Sequence, residues 1–483
     1  MGTRAVAREL RGGIVRGLGW AFGQQAGSQL LRMAFSILLA RVLPPSDYGI
    51  LGLGVLCLNF LQILSTFGLG DGLIQSGRRA GPGELAALFR LHALLALGAA
   101  LLLVLAAPGI AAWYRMDALS PVLRLLALSA LLSVGVVLPR ATLEQAMRFD
   151  VVARRALPAT LLSGLLALWA AHAGWGVYSL VLLYLAEPAL MALGLLPWIP
   201  RGRPAPLCEV LPVLNYSWKL SLAGMLGFVG KNIDAAVIGK WIGTAQLGLY
   251  QLGFRLTRLP AQNLAEVLDR VLFPAYASIQ DDRRRVALAY ARVLRGLSLL
   301  VLPLMTLAAL SLEPLVPLLL RGAWLEAIPV MQVFCALAMV QTMGRSMNAV
   351  IQALGRSDVV LAWVFFTAPL NVVAVALSAR RGILAVALAL VATRLAVQLG
   401  QQHVVARLLG TPWRRLLRAE FSGLPLALAL LGAHWALVAA GWRPWPRLVL
   451  ETLVLLTPAL LLAIRRGRRG AWEWLTGGAR SPS

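Results

Sequence analysis

Residues 85–107 have the sequence LAALFRLHALLALGAALLLVLAA, in which Arg90 is the one charged residue. A helix needs about 20 mostly apolar residues to cross the ~30 Å hydrocarbon core of a bilayer, so this segment predicts a transmembrane helix. Similar apolar segments precede and follow it, and the connections between them are too short to fold as separate domains. The segment is therefore interpreted as one span of a polytopic membrane protein.

The composition of the whole chain supports the same interpretation. Hydrophobic residues make up 59% of the 483 residues, charged residues make up 13%, and the mean hydropathy is +0.77. These values exclude a soluble globular protein. The sequence predicts an all-α polytopic membrane protein with about fourteen spans, at residues 18–40, 49–75, 85–107, 119–139, 153–172, 175–197, 213–239, 246–273, 288–312, 326–353, 358–378, 382–405, 420–441 and 446–464.

Basic residues are distributed unevenly between the predicted loops. The chain has 45 Lys and Arg against 20 Asp and Glu, which gives a net charge of +25. With the N-terminus in the cytoplasm, the cytoplasmic segments carry about three times as many Lys and Arg as the external segments, as the positive-inside rule requires. We therefore expect a multi-pass protein of the bacterial inner membrane with both termini in the cytoplasm. No basic soluble domain remains outside the spans, which excludes nucleic acid as a partner.

Two segments repeat each other at an offset of 199 residues. Residues 40–49 (ARVLPPSDYG) follow the first span, and residues 239–248 (GKWIGTAQLG) follow the seventh. Both spans start in the cytoplasm, so the repeat is parallel, with its axis along the membrane normal, as in transporters that bind cargo between two halves. We predict a basic cytoplasmic arm at 1–17, an N-terminal lobe of spans 1–6 at 18–200, a C-terminal lobe of spans 7–12 at 201–405, and two additional spans with a basic cytoplasmic tail at 406–483.

The same offset pairs two cations inside the first and seventh spans, Arg32 and Lys231. An ionisable side chain is costly within the hydrocarbon, so each cation either extends to the membrane interface or faces a polar interior. Gln24, Ser28 and Ser36 lie on the same helical face as Arg32, because residues four apart stack along a helix. We therefore favour a shared polar cavity lined by both cations.

Further candidate cations lie in spans eight and ten. Arg255 and Arg258 are three residues apart and share a helical face. They either line the cavity or pair with Glu266 and Asp269, and the sequence leaves both interpretations open. Arg345 lies among polar residues of span ten, which favours a solvated interior there.

The excess of cations inside the spans predicts an anionic cargo. Arginine binds phosphate through a planar fork of donors, and lysine acts as a point charge. A lipid diphosphate headgroup that carries sugars fits these groups, with its acyl tail remaining in the bilayer. Asp234 and Glu187 are the in-span carboxylates that we consider for a coupling ion, and Asp234 is the candidate we retain.

No motif of a catalytic or metal site occurs in the sequence. It contains no GxxxxGK[ST] phosphate loop and no GxSxG or HExxH motif. The three cysteines form no CxxC pair, and the four histidines are scattered. We therefore expect a transporter with no catalytic residue, no metal and no cofactor.

Several segments resemble the polysaccharide-exporter branch of the multidrug/oligosaccharidyl-lipid/polysaccharide (MOP) flippase superfamily. They are residues 39–49 with 67–70 and 73–75, residues 232–240 with 247–250, residues 270–276, and residues 354–358. The chain is similar to Wzx-type flippases, and most similar to the colanic-acid and teichuronic-acid exporter group. The likeness covers residues 18–410.

The resemblance implies two pseudo-symmetric six-helix lobes in a V shape, with two helices appended. It implies alternating-access transfer of undecaprenyl-diphosphate-linked oligosaccharide across the inner membrane, with Arg32 and Lys231, and less strongly Arg255 and Arg258, contacting the diphosphate or acidic sugars. Membrane lipids and a polysaccharide polymerase with its co-polymerase are the expected partners. Two alternatives stay open, a drug/cation antiporter of the same superfamily and a membrane glycan polymerase.

Overall fold

A computed structural model describes residues 23–70, 73, 81–146, 148–200, 202–320 and 322–453 of the chain. Within those ranges the regular structure is helical, and no β-strand occurs. The prediction of an all-α protein is therefore confirmed for the described residues.

The described helices of the first half of the chain lie between residues 23 and 277. They are α1 (residues 23–40), α2 (Pro45–Thr66), α3 (Pro82–Tyr114), α4 (Leu119–Gln145), α5 (Phe149–His172), α6 (Val177–Leu195), α7 (Leu207–Trp241) and α8 (Thr244–Ala277). Local sequence explains the bounds of α2. The helix begins at Pro45, whose fixed φ suits the first helical turn, and it ends where Phe67 adopts a left-handed φ of 48°.

The helices of the second half are α9 (Arg283–Leu319), α10 (Ile328–Ala353), α11 (Ser357–Ser378), α12 (Ile383–Leu408), α13 (Trp413–Glu420), α14 (Leu424–Ala439) and α15 (residues 444–453). Asp282 caps α9, because its carboxylate accepts hydrogen bonds from the backbone N–H groups of Arg284 and Arg285, each at 3.0 Å. Gly382, with a φ of 95°, makes the turn that precedes α12.

Nine helices of the described part are long and apolar enough to cross a membrane. They coincide with the predicted spans 2–6, 9, 10, 12 and 13, and α7, α8 and α11 occupy the positions of spans 7, 8 and 11. The first and last predicted spans extend into residues outside the described ranges. Large apolar side chains stand exposed on these helices, among them Leu105 at 77% and Leu377 at 75%. A surface of this kind requires lipid, so the chain is a multi-pass membrane protein.

The chain divides into two compact units, Met1–Gln251 and Leu252–Ser483. In the first unit, α2 packs against α3 and α4, and α6 packs against α4 and α5. In the second unit, α9 packs against α10, α13 and α14, and α10 also packs against α12. The boundary falls inside α8, and the predicted lobes at 18–200 and 201–405 stay a prediction.

Candidate functional site

The two repeated segments lie in direct backbone contact within the first unit. A Cβ atom added to Gly49 of α2 would overlap the backbone carbonyl of Thr244, the first residue of α8. A Cβ atom added to Gly248 of α8 would overlap the backbone carbonyl of Pro45, the first residue of α2. Glycine is therefore required at both positions, because only a residue without a side chain permits this approach of two helices.

These two contacts are related by the 199-residue offset. Adding the offset to Gly49 gives Gly248, and adding it to Pro45 gives Thr244, so the pair Gly49–Thr244 and the pair Pro45–Gly248 are the same contact made twice. The offset also relates Gly52 to Gln251, and the side chain of Gln251 fills the space where a Cβ of Gly52 would lie. Such reciprocity is the property of a two-fold contact, so the repeat found in the sequence is present in the packing.

Arg32 of α1 forms an ion pair with Glu187 of α6. Its Nη2 lies 2.6 Å from one carboxylate oxygen, and its Nε donates to the other at 3.3 Å. The hydroxyl of Thr160 on α5 donates to the same carboxylate at 2.9 Å. The side chain of Arg32 is 47% exposed, and that of Glu187 is 26% exposed. Arg32, a candidate for cargo binding, and Glu187, a candidate for ion coupling, are therefore joined in one bidentate pair.

The polar side of α7 serves partly as a packing surface. The hydroxyl of Ser217 donates to the carbonyl of Gly68 at 3.1 Å, and that of Ser221 donates to the carbonyl of Ile63 at 2.9 Å. Both acceptors belong to α2 or its C-terminal turn, so these serines satisfy backbone groups there. Asp234, the candidate for ion coupling, accepts a hydrogen bond from the Tyr250 hydroxyl at 2.5 Å.

A groove of about 390 Å³ lies between α2 and α7, beside this packing surface. Asn59, Gln62, Ile63 and Thr66 line it from α2, and Phe228 lines it from α7. This groove was not predicted from the sequence, although Asn59, Gln62 and Thr66 follow an i, i+3, i+7 spacing that places three polar groups on one helical face. Amide and hydroxyl groups beside an aromatic ring are typical of a site that binds a polar organic ligand.

The remaining candidate cations are distributed along three helices. The backbone of Lys231 lies in α7, three residues and hence about one turn beyond Phe228, and its side chain lies outside the described part. The side chain of Arg258 lies outside it as well, as do those of Glu266 and Asp269. Arg255 is exposed on α8, and Arg345 is partly buried on α10. The predicted pairing of Arg32 with Lys231 in one cavity therefore stays a prediction, and no group of three potential metal ligands occurs among the described residues.

Comparison with known proteins assigns the chain to a family. Residues 38–329, more than half of the chain, match the profile of a family described as polysaccharide biosynthesis protein. The chain belongs to this family. The resemblance inferred from the sequence is thereby confirmed.

Curated relatives include two bacterial proteins of polysaccharide production. The chain is 25% identical to the succinoglycan biosynthesis transport protein ExoT of Rhizobium meliloti (strain 1021) over 424 residues, which cover 87% of this chain and 85% of ExoT. It is 24% identical to the lipopolysaccharide biosynthesis protein WzxC of Escherichia coli (strain K12) over 331 residues, 66% of each chain.

Solved structures with the same fold are transporters. The lipid II flippase MurJ, in an inward closed conformation, matches with a TM-score of 0.72 at 12% identity, covering 92% of this chain and 99% of MurJ. An inward-facing multidrug resistance transporter of the MATE family, within the MOP superfamily, matches with a TM-score of 0.57 at 17% identity, covering 79% of this chain and 95% of the transporter. The chain therefore has the fold of these transporters.

Proposed function

We propose that this chain moves undecaprenyl-diphosphate-linked oligosaccharide, a precursor of surface polysaccharide, from the cytoplasmic to the periplasmic leaflet of the bacterial inner membrane. The observation that carries the proposal is the family match of residues 38–329, which joins a polysaccharide biosynthesis family to a membrane transporter fold. The transport protein ExoT, matched over most of both chains, supports the same class of cargo.

The groove between α2 and α7 provides groups suited to such a cargo. Asn59, Gln62 and Thr66 offer amide and hydroxyl groups for sugar hydroxyls, and the ring of Phe228 offers an apolar surface beside them.

Arg32 is half exposed although it is paired with Glu187. A diphosphate can replace Glu187 as the partner of Arg32, because its oxygens accept the same bidentate hydrogen bonds from the guanidinium. Lys231, one turn beyond Phe228, is proposed as the second contact.

Alternating access is proposed to use the contact between the two repeated segments. In the orientation with both termini in the cytoplasm, Pro45–Gly49 and Thr244–Gly248 lie at the periplasmic ends of α2 and α8. Direct backbone contact of these helices, made through Gly49 and Gly248, closes a path between them. Release of cargo to the periplasm then requires the two helices to separate at these glycines.

The proposal also includes the orientation of the chain in the membrane and the proteins that act with it. The uneven distribution of Lys and Arg supports cytoplasmic termini and an inner-membrane location. A polysaccharide polymerase and its co-polymerase would take up the translocated oligosaccharide at the periplasmic face, since polymerisation consumes this product.

The test is an analysis of lipid-linked intermediates in a strain from which the gene has been deleted. We expect undecaprenyl-diphosphate-linked oligosaccharide to accumulate and surface polysaccharide to disappear, and the wild-type gene should restore both. Arg32→Ala and Lys231→Ala should fail to restore export while the protein remains in the membrane. Arg140→Ala is the matched control, because Arg140 forms an ion pair of similar length, 2.7 Å with Glu144, and similar exposure, 44%, in the same unit.

Two outcomes would refute parts of the proposal. A deletion strain with unchanged lipid-linked intermediates would refute the assignment of cargo. Normal export by the Arg32→Ala, Lys231→Ala double variant would refute the role of the two cations and leave the cargo assignment intact.

A multidrug antiporter is the second candidate, because the fold is shared with a MATE transporter. In that case Asp234 or Glu187 would bind the coupling ion. The deletion strain would then become sensitive to cationic drugs while its polysaccharide stayed normal. The present proposal predicts the opposite pattern.

A further inference from the structure

Six exposed arginines of the second unit lie in the first turn of α9 and along α13. They are Arg283, Arg284, Arg285, Arg414, Arg415 and Arg418. The three arginines of α13 share the exposed side of that helix, because Leu416 and Glu420 are buried on its other side. None of the six belongs to the groove or the cation set described above.

Hydrogen bonds hold α9, α12 and α13 together at this surface. Arg283 donates from Nη1 to the carbonyl of Leu408, the last residue of α12, at 3.1 Å. The backbone N–H of Gly423, just beyond α13, donates to the Ser298 hydroxyl of α9 at 2.9 Å. A Cβ on Gly423 would overlap the backbone carbonyl of Ser298, so this turn lies directly against α9. The first turn of α9 therefore lies beside the turn that precedes α13, and the two groups of arginines lie at the same end of these helices.

The length of α12 locates the boundary of the membrane. This helix begins at Ile383, shortly after Arg380 and Arg381, whose charges are excluded from the hydrocarbon. About 20 helical residues cross the hydrocarbon core, so the core ends near Gln402. His403 therefore lies at the level of the lipid headgroups.

Side-chain contacts transfer this level to α13. The rings of His403 and Trp413 meet edge to face, with centroids 6.1 Å apart, so α13 begins at the headgroup level. At the other end of α13, the Gln398 amide donates to the Glu420 carboxylate. Gln398 precedes His403 by five residues and lies about 7 Å deeper. The arginines of α13 therefore emerge between the headgroup layer and the edge of the hydrocarbon.

These arginines lack counter-charges within the described part of the protein. None of the six forms an ion pair with a described residue. The exposed carboxylates beside them in the sequence are Asp281 and Asp282, and Asp282 accepts hydrogen bonds from backbone N–H groups of α9. Guanidinium charge at the edge of the hydrocarbon is costly without an anion, so we expect an anion from outside the chain.

Exposed aromatic side chains flank the arginines of α13. Trp413, the first residue of the helix, is 41% exposed, and Phe421, directly after its last residue, is 39% exposed. Aromatic rings are enriched where headgroups meet acyl chains. An acidic protein would neutralise the arginines without reaching rings at this depth. A lipid satisfies both, with its phosphate on the arginines and its acyl chains against the rings.

We propose that this surface binds anionic phospholipids of the phosphatidylglycerol type. Arginine donates bidentate hydrogen bonds to phosphate oxygens, and a basic cluster beside the membrane attracts an anionic leaflet. With both termini in the cytoplasm, that leaflet is the cytoplasmic one. The bound lipid stabilises the packing of α9 against α13, since both helices contribute arginines. The inference is independent of the proposed cargo.

Site-resolved photocrosslinking tests the inference on the purified full-length protein without cargo. The protein is reconstituted in phosphatidylcholine nanodiscs with a photoactivatable phosphatidylglycerol, and adducts on peptides that contain α13 are measured by mass spectrometry. The variants are Arg418→Gln and a triple variant that adds Arg414→Gln and Arg415→Gln. Arg356→Gln is the matched control, because Arg356 is an exposed arginine of the same unit whose counter-charge, Asp358, lies 2.8 Å away.

We expect unlabelled phosphatidylglycerol, and not phosphatidylcholine, to compete for the adducts of wild type. The adduct yield at limiting probe should fall roughly fivefold in Arg418→Gln and at least about tenfold in the triple variant. It should be unchanged in Arg356→Gln. All of the replaced side chains are exposed, so the melting temperature in phosphatidylcholine alone should equal that of wild type.

Three results would overturn the inference. Equal yields in wild type and the triple variant would show that the arginines do not bind the lipid. An equal loss in Arg356→Gln and Arg418→Gln would show a general effect of charge rather than a site. Displacement of the probe by undecaprenyl diphosphate at a lower concentration than by unlabelled phosphatidylglycerol would assign the surface to the lipid cargo instead.

Discussion

Replacing Gly49 by alanine adds one methyl group at the contact between α2 and α8. That group would overlap the backbone carbonyl of Thr244, and a backbone atom cannot rotate away as the end of a side chain can. The two helices must therefore separate. Overpacking of this kind costs about 1–3 kcal/mol, which corresponds to a shift of roughly 5- to 150-fold in the equilibrium between the closed and the separated contact.

Accessibility of a buried cysteine measures this shift. Leu53 is fully buried and packs against Gly239 near the same contact. In a cysteine-free background, a cysteine at position 53 should react with a maleimide several-fold to about 100-fold faster when Gly49→Ala is present. Gly98→Ala on α3 is the control, because no atom lies within 4 Å of the added methyl group there.

Gly248→Ala should have the same effect, since it forms the equivalent contact with Pro45. The loss of stability in the Gly49→Ala, Gly248→Ala double variant should be smaller than the sum of the losses in the two single variants, because one separation of the helices relieves both overlaps. Equal labelling rates and equal melting temperatures of Gly49→Ala and Gly98→Ala would refute the expected separation of α2 and α8.

Three further predictions concern polar groups of the first unit. Tyr250→Phe removes the hydroxyl that donates to Asp234 at 2.5 Å and should lower stability by about 1.5–3 kcal/mol, measured by thermal denaturation; an unchanged melting temperature would contradict it. Asn59→Leu with Gln62→Leu should reduce export of polysaccharide without loss of protein from the membrane, since both side chains line the groove; normal export would remove the groove from the cargo path. Arg32→Lys should retain more export than Arg32→Glu, because lysine keeps the charge and loses only the bidentate geometry; equal export by the two variants would show that charge at this position is unimportant.

The fold class followed from the sequence because bilayer thickness dictates it. A segment of about 20 apolar residues allows few structures other than a membrane-spanning helix, and turn residues such as Pro45 and Gly382 mark helix ends locally. The repeat was also predictable, since Gly49 and Gly248 occupy equivalent positions in two similar segments. The spans and helix ends depend on residues that are close together in the sequence, and the repeat depends on the alignment of two segments of the same chain.

The side-chain partners could not be predicted, because they depend on which helix faces cross. Arg32 and Glu187 are 155 residues apart, and nothing in either span specifies the other as its partner. Ser217 and Ser221 lie on the same broad side of the seventh span as Lys231, yet their hydroxyls donate to backbone carbonyls of α2 and its C-terminal turn. Polarity of a helical face therefore predicts a need for hydrogen bonds, and it does not distinguish a cavity from a packed interface.

A buried hydrogen bond joins α12 to α13, in which the Gln398 amide donates to the Glu420 carboxylate, and it left a partial signal in the sequence. Gln398 and Gln402 are four residues apart in the twelfth predicted span, which places them on one helical face. The burial of Glu420 against that face depends on the turn that places α13 on α9, and this turn has no signature beyond Gly423.

The pairing of Gly52 with Gln251 has a consequence for how such a molecule can arise. In a dimer of identical six-helix chains, the position on the symmetry axis would hold the same residue twice, and two glutamines would collide whereas two glycines would leave a void. This restriction does not apply to a single polypeptide that contains both repeats, because each repeat acquires substitutions independently of the other. One large and one absent side chain therefore occupy the axis, which is a packing solution open to two repeats that have diverged in sequence and closed to two identical copies.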